Sequence, residues 1–563
     1  MITHDVLIVG GGLAGLRAAV AASRQRDVAV VSQVHPLRSN SVTVEEGINA
    51  ALGNHPASGA DSPRLHLTHT VAAGEYLNEP HTAGILCEEA ARAVFDLDRW
   101  GAPFDRMAGG LIAQRGAASG AYPRTCFAGR RVGHALLNTL FEQVIRWRIR
   151  VYEEHRVLAL AVKDGQCFGA VALVPATGEL VPMAAKSVVL ATGGCGRLYE
   201  QSTNALHCTG SGMALAGRAG VPLTDMEFVH FHPLAVADGQ VVLPMALLSA
   251  GATLLNAVGD RFLEDLSEGE AGSLQPDVVA RAIAAEIAEG RGGEGHGVRL
   301  DVSRLQARRL PVRLDELRRE VARVGGMDPS GKAIAVAPAE QFAIGGVTTD
   351  EHGATAVQGL FAAGECAWTG AHGARALRGN TVLEAVVFGR RAGERAGHVA
   401  GKRSPVGVEE ALQRCCRRTE ESLKTLLSNG SGESPAVLRA RLREVMQSHV
   451  AVRRSGSGLS RALQELRDCR RQYEAVEVSG ATARFNSDLM AAIELGEMLD
   501  AAEAIAAGAA RRTESRGTHF RADSPDRDDD KWLRHSAVSL SGDRPAVSHR
   551  PVTSRQGVPA GVA

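Results

Sequence analysis

The sequence predicts an α/β protein: a parallel-sheet nucleotide-binding domain, an inserted domain of mixed character and a C-terminal helical domain. Three observations predict it. The chain opens on strand, glycine turn, helix and strand, within Asp5–Ser32. A second apolar run enters a glycine turn in SVVLATGGCGRLY, Ser187–Tyr199. Residues 406–510 are dominated by Ala, Leu, Glu and Arg at helical spacing.

The elements follow in order. Val6–Val9 is a short apolar run that reads as a buried strand, and Leu13–Ser23 is an alanine-rich helix. Between them Gly10, Gly12 and Gly15 spell G-x-G-x-x-G, and Val28–Val31 forms the next strand. In this setting the first glycine permits a tight turn, the second lets a pyrophosphate approach the backbone, and the third lets helix and strand pack closely. The helix N-terminus adds N–H donors and a partial positive charge. The pattern predicts a Rossmann-like dinucleotide site. Residues 60–150 read as mostly helical, with His134–Trp147 amphipathic, and Val151–Val189 has strand character with a turn at Lys163-Asp164-Gly165. Residues 225–345 are mixed. GLFAAGECAW, Gly359–Trp368, returns to strand and turn, and a helix runs from about Thr381 to Gly397. From about Ser541 the composition turns to Ser, Pro, Gly and Arg and predicts a loosely ordered tail.

Composition narrows the function. With 63 Lys+Arg against 63 Asp+Glu there is no net charge to draw nucleic acid or acidic lipid. Aromatics at 4% argue against a base-stacking surface. Nine cysteines make no C-x-x-C pair, the nearest being Cys415-Cys416, so neither metal nor iron–sulfur ligation is predicted. The cysteine usage fits a reduced, cytoplasmic setting. Gly239–Gly259 carries no charge and is long enough to span a bilayer, but Pro244, Gly251, Thr253 and Asn256 make it buried protein interior.

Several motifs then coincide in a fixed order: ATGGCGRLY, Thr203-Asn204, DMEFVHFHP (Asp225–Pro233), AAGE (Ala362–Glu365), HGARALRGNTVLEAVVFGR (His372–Arg390), FNSDLMAAIELGEML and RTESRGTHFRADSPDRDDDKWLRH. Together they resemble the flavoprotein subunit family of succinate dehydrogenase and fumarate reductase, which includes L-aspartate oxidase. The resemblance covers about residues 4–540. It implies an FAD-binding domain over 1–230 and 346–400, an α+β capping domain over 231–345, a helical domain over 401–520 and a C-terminal extension over 521–563. It implies that Gly10, Gly12, Gly15, Ser39, Gly47, Thr192, Gly193, Gly194, Glu365 and Asn380 surround FAD, Glu365 accepting ribose or ribityl hydroxyls. The second strand ends in Ser32-Gln33, without the acid that suits NAD. The resemblance also implies an iron–sulfur or other electron-transfer partner, met through the region of the RTESRGTHF motif.

The departures from the family pattern set further expectations. Where membrane-bound members carry the histidine that links to FAD, this chain has Asn40, so the flavin is expected to be noncovalent. The family's Gly-Gly is Glu46-Gly47 here, the Asp of its TGDG motif is Ser211, its F-G-G reads Gly116-Ala117-Ala118, and a histidine before M-G-G is Gln341. In PMALLSAGA, Leu248 falls where the family has a proton-transferring arginine and Met245 where it has a glutamate; Ala376 replaces a carboxylate-clamping arginine, with Arg375 beside it. Leucine carries no proton, and an apolar pocket rejects a dianion. These losses predict an FAD-dependent oxidoreductase acting at a C–C or C–N bond of a less charged small molecule, not succinate or fumarate. His232, His372 and Arg375 are its candidate catalytic groups, with His230 and Arg378 as further polar residues; each histidine also fits a hydrogen-bonded structural role. The alternatives are a standard dicarboxylate enzyme with other residues in the usual roles, or a noncatalytic partner that kept the fold.

Overall fold

The computed structural model describes residues 1–24, 26–116, 122–236, 239, 241–264, 275–293, 297–305, 319, 321–323, 333–404, 406–542 and 544–553. A seven-stranded sheet forms its centre. The opening strand Ile2–Val9 lies between Val28–Ser32 and Glu179–Leu190, parallel to both, with Val6 beside Val28 and Val9 beside Leu190. Arg150–Glu153 and Leu360–Ala362 extend the parallel part at either side. Val6, Leu7 and Ile8 are fully buried, as expected for a strand covered on both faces. The hairpin of Arg156–Lys163 and Gln166–Val174 completes the sheet. Its turn is the predicted Lys163-Asp164-Gly165, with φ of 50° at Asp164 and 70° at Gly165, the left-handed pair a tight hairpin requires.

The helix Leu13–Ala22 crosses the sheet and packs along Asn380–Lys402, the helix that follows the His372–Arg390 motif. Gly389 and Gly393 make this approach possible: a Cβ on either would stand 2.6 or 2.2 Å from the carbonyl oxygen of Ala14 or Ala18.

The insertion builds its own five-stranded antiparallel sheet, in the order Val241–Val242, Val229–Val236, Ala333–Ala343, Val298–Asp301 and Thr253–Leu255. Helix Pro276–Ala288 covers it. The uncharged stretch from Gly239 is part of this cap. Leu243, Leu247, Leu248 and Leu254 are buried in its core, around a short helix at Ala246–Ser249. Among the described residues no helix is long and apolar enough to cross a membrane.

Helices Val408–Ser428, Pro435–His449, Gly456–Tyr473 and Ser487–Arg511 form the C-terminal bundle. Two of the motifs that carry the family resemblance meet beneath it. Asp225 Oδ2 lies 2.6 Å from His535 Nδ1 and accepts the Trp368 indole N–H at 2.8 Å, while His535 Nε2 is 3.2 Å from Glu79. Burial alone lowers the His535 pKa, but the two carboxylates outweigh it and push it up to about 9.

The expected loose tail is corrected over part of its length. Ala546–Pro551 is a strand, antiparallel to Arg534–Ser539. The Arg550 guanidinium stands 4.6 Å over the Trp368 ring, which ties the strand down. A paired backbone overrides a Ser- and Pro-rich composition here.

Candidate functional site

A cleft of about 550 Å3 runs from the carboxyl ends of the parallel strands to the face of the cap. This is where open α/β sheets bind ligands. Its first end is made of backbone. Gly10 has φ of 116° and a Cβ there would lie 2.1 Å from the carbonyl oxygen of Ala191, so only glycine fits. Gly15 is not on the wall; a Cβ there would strike the Gly10 carbonyl oxygen at 2.0 Å, so it fixes how closely the helix seats. Gly12 faces the cleft as the residue preceding helix Leu13–Ala22, in extended conformation, and the Leu13 N–H of the first turn donates to Ser41 Oγ at 3.1 Å. The N-terminal end of the helix thus borders the cleft.

Ser39, Thr192 and Gly193 also line it. Among the described residues Ser39 Oγ and Thr192 Oγ1 are buried without a hydrogen-bond partner. Buried hydroxyls are normally satisfied, and two orphans beside a glycine cradle fit a phosphate-bearing cofactor. Glu365 stands on the wall and accepts from the Ala343 N–H at 3.1 Å. Burial, aided by the charge of Glu384, outweighs that bond and pushes its carboxyl up to about 7. Gly47, Gly194 and Asn380 stand behind the wall. A Cβ on Gly47 would meet the Cys126 carbonyl oxygen at 2.5 Å, and one on Gly194 the Glu365 carboxylate at 2.1 Å. Asn380 is fully buried; its side chain accepts from Asn49 at 2.9 Å, donates to Thr70 Oγ1 at 3.0 Å and lies 2.8 Å from His66 Nε2.

Asn40 lines the cleft where the family's linking histidine falls. Its Oδ1 accepts the Ala205 N–H at 2.8 Å and its Nδ2 donates to Asn204 Oδ1 at 3.2 Å. An amide held in this way is no nucleophile, which suits noncovalent flavin.

The cap-facing end is made of side chains. His230, His232, Pro244, Met245, Gln341, Phe342, Arg375 and Arg378 all reach it, from four separated stretches of chain. His232 is 4% exposed, and its Nδ1 accepts the Leu234 N–H at 3.2 Å, which leaves Nε2 to carry the proton. Burial first, then the charges of Arg378 and His230, hold its pKa well below the usual value, so the ring is neutral. His372 is not on the wall. It is buried, edge-on to Phe342, with Nε2 3.0 Å from the Glu384 carboxylate. Arg375 is on the wall but heavily engaged: Nε donates to the Ala73 carbonyl at 3.0 Å, Nη1 to Asp277 Oδ1 at 2.9 Å, and Nη2 is 3.6 Å from Glu75. Asp277 sits in the first turn of the cap helix, so this pair joins cap to sheet domain.

Two expectations fail at this end. Leu248 is absent from the wall; it packs in the cap core, so its replacement of an arginine says nothing about the wall itself. Nor is the pocket apolar, because two guanidinium groups and two imidazoles line it. Of the family's F-G-G counterpart, Gly116 is exposed, and Ala117 and Ala118 lie outside the described residues. Sequence reasoning passed over Asp277 and the pairing of Glu46 with Arg378, since nothing local marks a partner that distant.

The model of the FAD binding domain matches residues 5–382, and that of the fumarate reductase flavoprotein C-terminus matches residues 439–560. The chain belongs to the succinate dehydrogenase/fumarate reductase flavoprotein family. It is an FAD-dependent oxidoreductase with the family's Rossmann-like core, inserted cap and C-terminal helical bundle. The succinate dehydrogenase flavoprotein subunit of Rickettsia bellii is 36% identical over 98% of this chain and 95% of its own length. The fumarate reductase flavoprotein subunit of Mycobacterium tuberculosis is also 36% identical, over 98% and 97%. A mutant E. coli quinol fumarate reductase chain superimposes with a TM-score of 0.92 at 33% identity, covering 99% of this chain and 98% of that one. These whole-length relatives overturn the expectation of a substrate other than succinate or fumarate. In this family, the exchange of single residues such as Leu248 and Ala376 is weaker ground than likeness along the entire chain.

Proposed function

We propose that this protein is a dicarboxylate oxidoreductase that interconverts succinate and fumarate. The observation that carries the reading is the end-to-end likeness to succinate dehydrogenase and fumarate reductase flavoproteins. The cap-facing end of the cleft supports it, because a dianion there can meet the Arg378 guanidinium. Gly10, Gly12, Ser39, Thr192, Gly193 and Glu365 would hold FAD, which would supply two-electron chemistry at a C–C bond. His232 offers an Nε2–H to a substrate oxygen, and Arg375 fixes the cap over the substrate through Asp277. His372 acts from behind the wall by holding Phe342 in place.

The domains divide at 1–230 with 346–400, 231–345, 401–520 and 521–563. An iron–sulfur or other electron-transfer protein exchanges electrons with the flavin, and the chain works in the cytoplasm, attached to a membrane only through such a partner.

Purified, flavin-loaded protein tests the reading with a redox dye. Fumarate oxidises the reduced dye and succinate bleaches the flavin under anaerobic conditions. Neither reaction at saturating substrate would sink the proposal.

A further inference from the structure

Arg378 differs from its neighbour Arg375 in what it leaves unspent. Its main chain is fixed: the Arg378 carbonyl accepts from Asn49 Nδ2 at 2.7 Å, and Gly379 follows at φ of 86°, where a Cβ would stand 2.5 Å from Asn49 Oδ1. Helix Asn380–Lys402 begins immediately after. The side chain is therefore thrown into the cleft from a rigid base. There it makes one ion pair among the described residues, Nε to Glu46 Oε1 at 3.1 Å. Glu46 also lines the cleft, and its own carbonyl is held by Arg115 Nη2 at 3.1 Å. Arg378 is 41% exposed and Glu46 22%, whereas Arg375 is 15% exposed and has three acceptors. Among the described residues neither nitrogen at the far edge of the Arg378 guanidinium has a partner, and the residue lines the cleft. That edge is a planar fork matched to a carboxylate.

We infer that Arg378 is the residue that takes a substrate carboxylate, and that Glu46 positions it and weakens its charge. This inference rests on the dicarboxylate reading above and names the side chain that makes it specific. Glu46 Oε1 occupies Nε and sets the plane of the fork. Its negative charge also lowers the attraction for a dianion, so affinity is set by the pair and not by arginine alone. Ala376 leaves room beside it, which places the charge at Arg378 two residues further along the same loop.

The test is calorimetric binding of malonate, a nonreacting dicarboxylate, to the flavin-loaded full chain, with fumarate kinetics beside it. Arg378→Gln is expected to weaken malonate about tenfold or more and to raise the KM for fumarate in proportion, with flavin content unchanged. Arg378→Lys restores charge without the fork and falls between. Glu46→Gln keeps a hydrogen-bond acceptor for Nε but removes the charge, and is expected to tighten malonate about threefold. Malonate affinity of Arg378→Gln within twofold of the wild type overturns the inference, as does weaker binding by Glu46→Gln. Wild type that binds malonate without turning over fumarate sinks the proposed reaction, while the variants still decide the role of Arg378. Wild type that does neither overturns both.

Discussion

The two ends of the cleft are built from different materials. The cradle end is mostly backbone: Gly10, Gly12 and Gly193 line it and the N-terminal end of helix Leu13–Ala22 borders it. The cap-facing end is side chain: two guanidinium groups, two imidazoles and a methionine gathered from distant segments. A backbone site depends on residues that are close in sequence and on the absence of Cβ atoms. A side-chain site depends on pairings such as Arg375 with Asp277, 98 residues apart. Changes at the first are read directly as loss, whereas changes at the second are absorbed by new partners.

The sharpest way to break this comparison is to add atoms at the cradle. Gly15→Val puts a branched Cβ 2.0 Å from the Gly10 carbonyl oxygen, with no flexible neighbour to yield. It is expected to cost about 3 kcal/mol or more and to give little folded, yellow protein. Gly12→Ala separates cradle from packing. Its backbone is extended and its new Cβ stands 3.1 Å from Ser41 Oγ. The apoprotein should melt near the wild type, while flavin affinity measured by equilibrium titration falls. Normal flavin binding by Gly12→Ala would show that the cradle is not set by backbone approach.

At the other end, Asp277→Ala removes the partner that Arg375 and Arg281 share and an acid from the first turn of the cap helix. The pair is nearly buried, so the loss is expected to be on the order of 2 kcal/mol in denaturant unfolding. The KM for fumarate should rise as the cap loses its hold on Arg375. Unchanged stability and KM together would mean that the cap is held elsewhere.

Glu365 joins the two ends. Its carboxyl is raised from 4.5 to about 7, chiefly by burial. A carboxyl with a raised pKa in the fold binds protons more tightly than in the unfolded chain, so stability falls as pH rises from about 4.5 through about 7. Apoprotein carrying Glu365→Gln should therefore melt higher than the wild type at pH above 7, and the gap should close near pH 5. The same variant should bind flavin more weakly, having lost a carboxylate acceptor. A gap independent of pH would remove Glu365 from this role.

Legibility in the sequence follows the same division. The strand–glycine–helix opening, the Lys163-Asp164-Gly165 hairpin turn and the C-terminal helices depend on local sterics and periodicity, and all stand close to where they were expected. His232 was legible as a candidate and does reach the cleft, while His372 was equally legible and lies behind it. Nothing near His372 in the chain distinguishes the two, because the difference is made by Glu384 and Phe342. Leu248 misled for the same reason: replacement of an arginine by leucine was informative only if that position faced the cleft, and the cap core claims it. The strand Ala546–Pro551 was hidden by composition, since its partner Arg534–Ser539 and the Trp368 ring under Arg550 are tertiary features.

The smallest expected effect tests the cradle end where a side chain intrudes on it. Asn40 spends its amide on the Ala205 N–H and Asn204, not on the cleft. Asn40→Ala removes two neutral hydrogen bonds at a partly exposed site and is expected to cost about 1 kcal/mol. If the amide only braces the 203–208 loop, flavin affinity drops no more than a few-fold, and acid precipitation of the wild type leaves the colour in the supernatant. A drop of about a hundredfold, near 3 kcal/mol, would make Asn40 a direct flavin ligand. Colour retained in the pellet would mean a covalent link formed by another residue. In the first case the glycine backbone with Ser39, Thr192 and Glu365 carries the cofactor without Asn40, and a hundredfold drop would extend the side-chain dependence of the cap-facing end to Asn40.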